Sequence, residues 1–369
     1  LAVLRINGTN QTAGTAQSGT LFEIRDNGAT ATVVQSFTLA TPTANNTTPG
    51  VTFSNSATTD GFLHRSTDGQ SISLVGYSAT VGTTSVTGTP SATASRVIAD
   101  ISASAAVTYN RFTDTTYSGS NARAAVSVGG NKFYTAGDAS APANRGVRYA
   151  DFTVGPTSAR LQDANVRDVN VFGSGGNQRL FSATASVVSI IGPGGPPPTT
   201  GTPTVTALTG LGGITNIRGF VLLDRDATRS FDGSGLDTLY LVNSNLVRKY
   251  ELDATDANWV LNGTYDPGVA SGNLFGLSAR INGGSVDLFV TEEANGGNLI
   301  KVTDTAGYGS VMNATDIWSV GATDFGANYA LRGLDFTPVP IPEPATVLGA
   351  AVAGLGLVRV VRGHRKRPR

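Results

Sequence analysis

The chain of 369 residues contains no cysteine, one methionine, two tryptophans and two histidines. Without thiols there are no disulfides and no thiolate metal centre, and the redox compartment stays undetermined. The histidines are His64 and His364, and the second lies in a basic tail. A zinc site or a His-based triad would therefore have to rest on His64, which we expect instead as an ordinary side chain on an inner strand. No Gly-x-Ser-x-Gly elbow and no Gly-x-x-x-x-Gly-Lys-Ser/Thr phosphate loop occurs. Four lysines offer no Lys-rich surface. The cations Arg359, Arg362, Arg365, Lys366, Arg367 and Arg369 crowd the C-terminus, leaving the rest of the chain with 20 basic against 26 acidic residues. A mildly acidic body argues against nucleic acid as a partner. Before Pro338 no long stretch has sustained helical periodicity, so helices are expected to be short.

What remains is a β composition. Only 14% of residues are charged and 46 are glycine, with 40% hydrophobic. That profile suits a turn-rich sheet protein and is too apolar for disorder throughout. A short pattern recurs at residues 58–63, 121–126, 165–170, 216–221, 273–278 and 330–336. In it a polar or small residue is followed two places on by a large side chain, usually then by Gly or Ala, then by an alternating apolar run. A second marker, of the type Leu239-Tyr240-Leu241-Val242-Asn243, starts at residues 73, 133, 180, 239 and 288. These intervals approach the roughly 40–50 residues of a propeller blade, with loops of unequal length.

The repeat predicts an all-β fold, a β-propeller of six blades with seven the alternative, over residues 1–337. The N-terminus supplies three strands, at 1–6, 20–25 and 32–39, and the fourth strand of that blade is expected from 331–337. Pairing both termini in one blade closes the ring and removes a free sheet edge. The second blade is expected at 61–65, 71–77, 96–101 and 107–112. Hairpin turns are expected at Gly129-Gly130-Asn131, Gly175-Gly176-Asn177 and Asn282-Gly283-Gly284, where Gly and Asn supply positive φ. The proline-rich run 192–203 reads as a loop inside the fourth blade, because strand pattern resumes at 204–208.

Two constellations are candidates for chemistry. Asp224, Asp226, Asp232 and Asp237 put four carboxylates in one Gly-containing loop, hard oxygen ligands that suit a structural Ca²⁺. The other reading of that loop is a set of solvated Asx turns. The third position of the six repeats holds Asp60, Arg123, Arg167, Arg218, Phe275 and Arg332. Equivalent positions on inner strands surround one axis, so four guanidiniums are expected at a channel mouth, where they attract carboxylate or phosphate groups. Alternatively each is consumed by a nearby acid such as Asp60, Asp168 or Asp335 and staples adjacent blades.

After residue 337 the composition changes. Residues 338–344 form a proline-rich spacer, 345–358 carry no charge, and the basic tail follows to residue 369. A helix over 345–358 reaches about 21 Å, short of the ~30 Å hydrocarbon core. It fits a transient membrane association better than a permanent anchor. Pro342-Glu343-Pro344, the short apolar segment and the Arg-rich end resemble the PEP-CTERM sorting signal of Gram-negative, biofilm-forming bacteria. They differ from it in Arg359 within the segment and in a longer basic tail. The resemblance implies an exported surface or extracellular protein, processed by an exosortase-type membrane protease. The body, through stretches 1–5, 67–69 with 76–77, 121–123, 146–149, 237–240, 301–304 and 331–333, resembles propeller proteins of no assigned activity that carry this signal.

The functional expectation is a binding or extracellular-matrix module for anionic ligands such as acidic exopolysaccharide, with no cofactor beyond the structural Ca²⁺. Its rivals are a metal-dependent hydrolase or lyase using the channel, and a self-assembling structural protein. The sorting signal predicts that protein recovered from its native cells lacks the tail from about Pro342. Mass spectrometry of the extracellular material checks this, and a C-terminus still ending at Arg369 overturns it.

Overall fold

Among the described residues twenty-four strands form six antiparallel four-stranded sheets; the innermost strand of five of them overlaps a copy of the sequence repeat, and that of the second blade follows directly after its copy. The computed structural model describes residues 1–8, 14–269, 273–293 and 296–339. The sorting motif Pro342, Glu343 and Pro344, with the apolar segment and basic tail, lies outside the described residues. Among the described residues no helix is long and apolar enough to cross a membrane.

From the axis outward the first blade runs Tyr329–Asp335, Ala2–Asn7, Gly19–Asp26 and Ala31–Thr38. This is the expected closure, with Ala2 opposite Asp335 and Asn7 opposite Tyr329. The second blade contains His64–Arg65, Ser71–Tyr77, Arg96–Ser102 and Val107–Arg111. Innermost strands of the remaining blades are Ala122–Ser127, Asp168–Phe172, Ile217–Leu223 and Leu274–Asn282. In the fourth blade Val205–Ala207 pairs with Val188–Ile191, so the proline-rich run is an internal loop. Alternating side chains of neighbouring sheets interdigitate into apolar clusters. Phe181, Ile190, Phe220 and Trp259 join the fourth and fifth blades, and Leu4, Leu63, Leu74 and Val97 join the first and second. Each such fully buried side chain stabilises by roughly 1.5–3 kcal/mol, an upper figure for a realistic unfolded chain.

The small residue after the third repeat position has a steric cause. Inner strands converge on the axis, so their backbones come closer than side chains allow. A Cβ on Gly219 would lie 2.9 Å from the Phe275 carbonyl oxygen, and one on Gly276 would lie 3.0 Å from that of Arg332. On Gly333 it would lie 2.2 Å from the Leu63 nitrogen. At this last contact the Gly333 N–H donates to Gly61 O at 2.9 Å, and Phe62 N–H donates to Arg123 O at 3.0 Å. The second blade's inner strand therefore begins at His64 rather than at 61, because Gly61 accepts a backbone hydrogen bond from one neighbouring blade and Phe62 donates one to the other.

Gly333→Ala is expected to lower stability by about 1–3 kcal/mol, the usual cost of overpacking. Gly212→Ala, where nothing lies within 4 Å of the added carbon, is expected to change it little. Urea unfolding of the two variants checks the contrast.

Candidate functional site

The third repeat position reaches the axis because the chain bulges there. In the third and fifth blades Arg123 and Arg218 are the extra residues between paired neighbours. In the first and sixth blades the register shifts across Arg332 and Phe275 in the same way. A bulge bends its strand and re-aims the side chain, here toward the channel. Arg123, Arg218 and Arg332 are buried, and Arg167, just ahead of its strand, is half-buried.

Their partners follow a rule of neighbouring repeats. Arg123 Nη1 donates to the Asn165 side-chain oxygen and to Val166 O at 2.8 Å. Arg167 Nη1 repeats this one blade on, with Asn216 Oδ1 at 2.5 Å and Ile217 O at 2.9 Å. In these two cases the first residue of the next repeat, Asn165 or Asn216, receives the arginine of the blade before it. Arg218 departs from the rule and pairs with Glu293, which the sequence reading missed. Its only signal was the position of Glu292-Glu293 at the end of a buried strand.

A strap formed by residues 57–60 crosses this mouth. Ala57 O accepts from Arg332 Nη2 at 2.9 Å, Thr58 O from Arg218 Nη1 at 2.6 Å, and Thr59 Oγ1 from Arg123 Nε at 3.1 Å. Asp60 stands 3.8 Å from Arg332 Nε. Two of the acids expected to consume the arginines do something else. Asp168 binds His64, and Asp335 accepts from Arg65 N at 2.8 Å and Ser278 Oγ at 2.9 Å.

Arg123 and Arg167 line a cavity of about 370 Å³ with Thr59, Asn165, Thr184, Ala185 and Ser186. Arg167 has no carboxylate within ion-pair distance among the described residues. Burial, then the charges of Arg218 and Arg123, push its pKa down to about 10, with Glu293 opposing. Burial also lowers Arg123 and Arg218 and raises Glu293. The mouth is therefore cationic and short of counter-charge.

The opposite mouth is different. The Phe62 ring stacks on that of His64 at 6.5 Å. Phe62 stacks on Phe275 at 4.5 Å, the two being 2% and 0% exposed. Beyond them His64 Nε2 lies 2.6 Å from Asp168 Oδ1, and Asn170 Nδ2 lies 3.1 Å from His64 Nδ1. His64 is thus more than an ordinary inner-strand side chain, since it ties the second blade to the fourth past the third. Burial works against its charge, but Asp168 and then Asp335 outweigh burial and leave its pKa raised. A cavity of about 260 Å³ opens there against Phe172, Phe220, Leu277 and Phe336.

The four aspartates proposed for Ca²⁺ go to separate partners. Asp232 pairs with Arg179 Nε at 2.7 Å and accepts from Gly194 N. Asp237 is buried and accepts from Arg225 N, Asp226 N and Thr238 Oγ1. Asp226 forms an Asx turn with Thr228, and Asp224 faces Gly235. Among the described residues no three His, Cys, Asp or Glu side chains gather as metal ligands. Loop-stabilising hydrogen bonds occupy Asp226, Asp232 and Asp237, as in the Asx-turn reading.

No family model matches the chain, and no curated protein matches it. Among solved structures it is similar to the β-propeller domain of Cps50 (Swd1) from Myceliophteria thermophila, at 10% identity and TM-score 0.42, covering 72% of this chain and 73% of that one. It is similar to the periplasmic gluconolactonase PpgL of Pseudomonas aeruginosa at 12% identity and TM-score 0.44, covering 86% and 82%. A Desulfotomaculum acetoxidans protein of unknown function matches at 11% identity and TM-score 0.42, covering 89% and 90%. At such identities no activity carries over.

The His64 pair generates a pH prediction. A histidine whose pKa is raised on folding stabilises fully below its unfolded value near 6.5. That contribution is lost as pH rises through the higher folded value. Asp168→Asn should lower stability most at about pH 6 and least at about pH 9. Unfolding curves at both pH values check the sign, and an equal loss at both overturns it.

Proposed function

We propose that this propeller is a binding module that takes an anionic group into the arginine mouth of its channel, on the exterior of a bacterial cell. The observation that carries the reading is Arg167. Its guanidinium sits at a cavity beside Arg123, is held by an amide oxygen and a carbonyl, and has no carboxylate partner among the described residues. Of the guanidiniums around it, Arg218 has Glu293, while Arg332 shares Asp60 at 3.8 Å. Glu293, Asp60 and Asp138, the last acting on Arg123, are three acids for four cations and leave room for an external carboxylate, sulfate or phosphate. Thr59, Thr184 and Ser186 add hydroxyls that suit a polyol bearing such a group. An acidic extracellular polysaccharide combines both features, and the sorting-signal resemblance supports display where it would be met.

Binding is favoured over hydrolysis by the state of His64. Both its ring nitrogens are engaged, one by Asp168 and one by Asn170, so neither faces a substrate as a free base.

Polygalacturonate or dextran sulfate is expected to bind with an affinity that falls as salt rises. Arg167→Ala is expected to weaken binding about tenfold or more, roughly 1.4 kcal/mol, while the melting transition stays nearly unchanged. Calorimetric titration at two salt concentrations measures both. Binding indifferent to salt, or untouched by Arg167→Ala, overturns the reading.

A further inference from the structure

We infer that anion uptake at the arginine mouth is coupled to a proton carried by Asp60, the residue that the second blade places where four other blades place arginine. The inference rests on the binding reading above and adds its regulation.

The geometry leaves Asp60 poorly satisfied. It is fully buried. Its Oδ2 accepts from Ser54 N at 3.3 Å, a long bond. Its Oδ1 has no hydrogen-bond partner among the described residues, and neither does Arg332 Nε, which stands 3.8 Å away. That distance gives attraction between the charges but no shared proton. An ionised carboxylate in water keeps several hydrogen bonds, and burial with fewer favours the neutral acid.

The groups facing it come from several elements. Arg332 approaches from the first blade and Arg123 from the third, and Tyr77 lies on the next strand of its own blade. Glu293 of the sixth blade acts on Arg332 from the far side, together with Arg218 and Arg167. The Tyr77 phenol is pushed up, first by burial and then by Asp60, and stays neutral. Burial pushes Asp60 up to about 7, against the pull of Arg332, Ser54 N–H and Arg123. Asp60 therefore changes charge near neutral pH.

Ionised Asp60 supplies counter-charge to Arg332 and Arg123. Once it is protonated, the mouth gains one unit of positive charge, and an anion binds more tightly. By linkage a bound anion raises the proton affinity of Asp60 by the same factor. Ligand is thus held at acidic pH and released as the medium turns alkaline. His64 also has a raised pKa, but it sits at the opposite mouth behind Phe62 and Phe275.

The test titrates dextran sulfate, whose sulfates stay ionised throughout, at about pH 5.5 and about pH 8.5, on either side of the Asp60 transition. Wild type should bind about fivefold or more tightly at the lower pH. Asp60→Asn should bind tightly at both, and His64→Gln should keep the wild-type difference. Unfolding supplies a readout that needs no ligand. An acid whose pKa is raised on folding loses stability as pH rises from its unfolded value, so the wild-type curve should fall between about pH 4 and about pH 7 relative to Asp60→Asn. Sulfate that fails to bind at either pH overturns the binding reading and this coupling with it. Binding that ignores pH, a pH difference that survives in Asp60→Asn, or one that disappears in His64→Gln overturns the coupling alone.

Discussion

Repulsion between guanidiniums aimed at one axis is the constraint to which the centre of this propeller answers. Hydrogen bonding to these guanidiniums is assigned mainly to backbone and amide oxygens rather than to acids. Arg123 and Arg167 each receive an asparagine oxygen and a carbonyl from the following blade, and the strap 57–60 offers two carbonyls and a hydroxyl to three arginines. The same solution appears away from the axis, where buried Arg96 donates to the carbonyls of Thr87, Thr89, Ala94 and Ser120. A hydrogen bond to a charged group contributes roughly 1.5–3 kcal/mol, so these contacts hold blades together. Dipoles satisfy hydrogen bonds without cancelling net charge. The mouth is consequently well ordered and still cationic.

Close approach of the inner strands makes that arrangement rigid. Gly219, Gly276 and Gly333 admit the next blade's backbone, and the Gly333-to-Gly61 and Phe62-to-Arg123 hydrogen bonds tie three blades at the centre. A site built from such bulged, interlocked strands keeps its arginines in place before any ligand arrives, which reduces the ordering cost of binding. Phe62 and Phe275 fill the space between the two mouths with apolar rings. The acidic, histidine-containing end and the arginine end thus remain separate environments.

Closure adds a second polar clasp at the rim of the first and sixth blades. Asp26 of the N-terminal hairpin meets Lys301 at 2.9 Å, Arg280, and Trp318 Nε1 at 3.1 Å. Hydrogen bonds from Lys301, Trp318 and Gly28 outweigh burial and hold the Asp26 carboxyl below its usual range. This clasp joins residues far apart in sequence across the same joint that the terminal strands close. Breaking one partner of such a buried set leaves the others uncompensated.

The sequence by itself determined the architecture. Strand periodicity, glycine turns and a six-fold repeat are local signals, and a missing fourth strand at one terminus matched by a spare one at the other is a matter of counting. It also marked which positions face the axis, because equivalent residues of a ring share one radial direction. Tertiary structure alone decided what those residues touch. Glu293, rather than Asp168 or Asp335, meets Arg218 because a bulge turns that arginine across the channel, and no spacing rule encodes the turn. His64 finds Asp168 104 residues away because the packed ring brings the second and fourth blades' inner strands together. The aspartate loop shows the limit from the other side. Four carboxylates close in sequence read as a metal site, yet Asp226, Asp232 and Asp237 are captured by a nearer N–H, hydroxyl or guanidinium. Proximity along the chain specifies neighbours only over a few residues; beyond that, the packing of blade on blade chooses the partner.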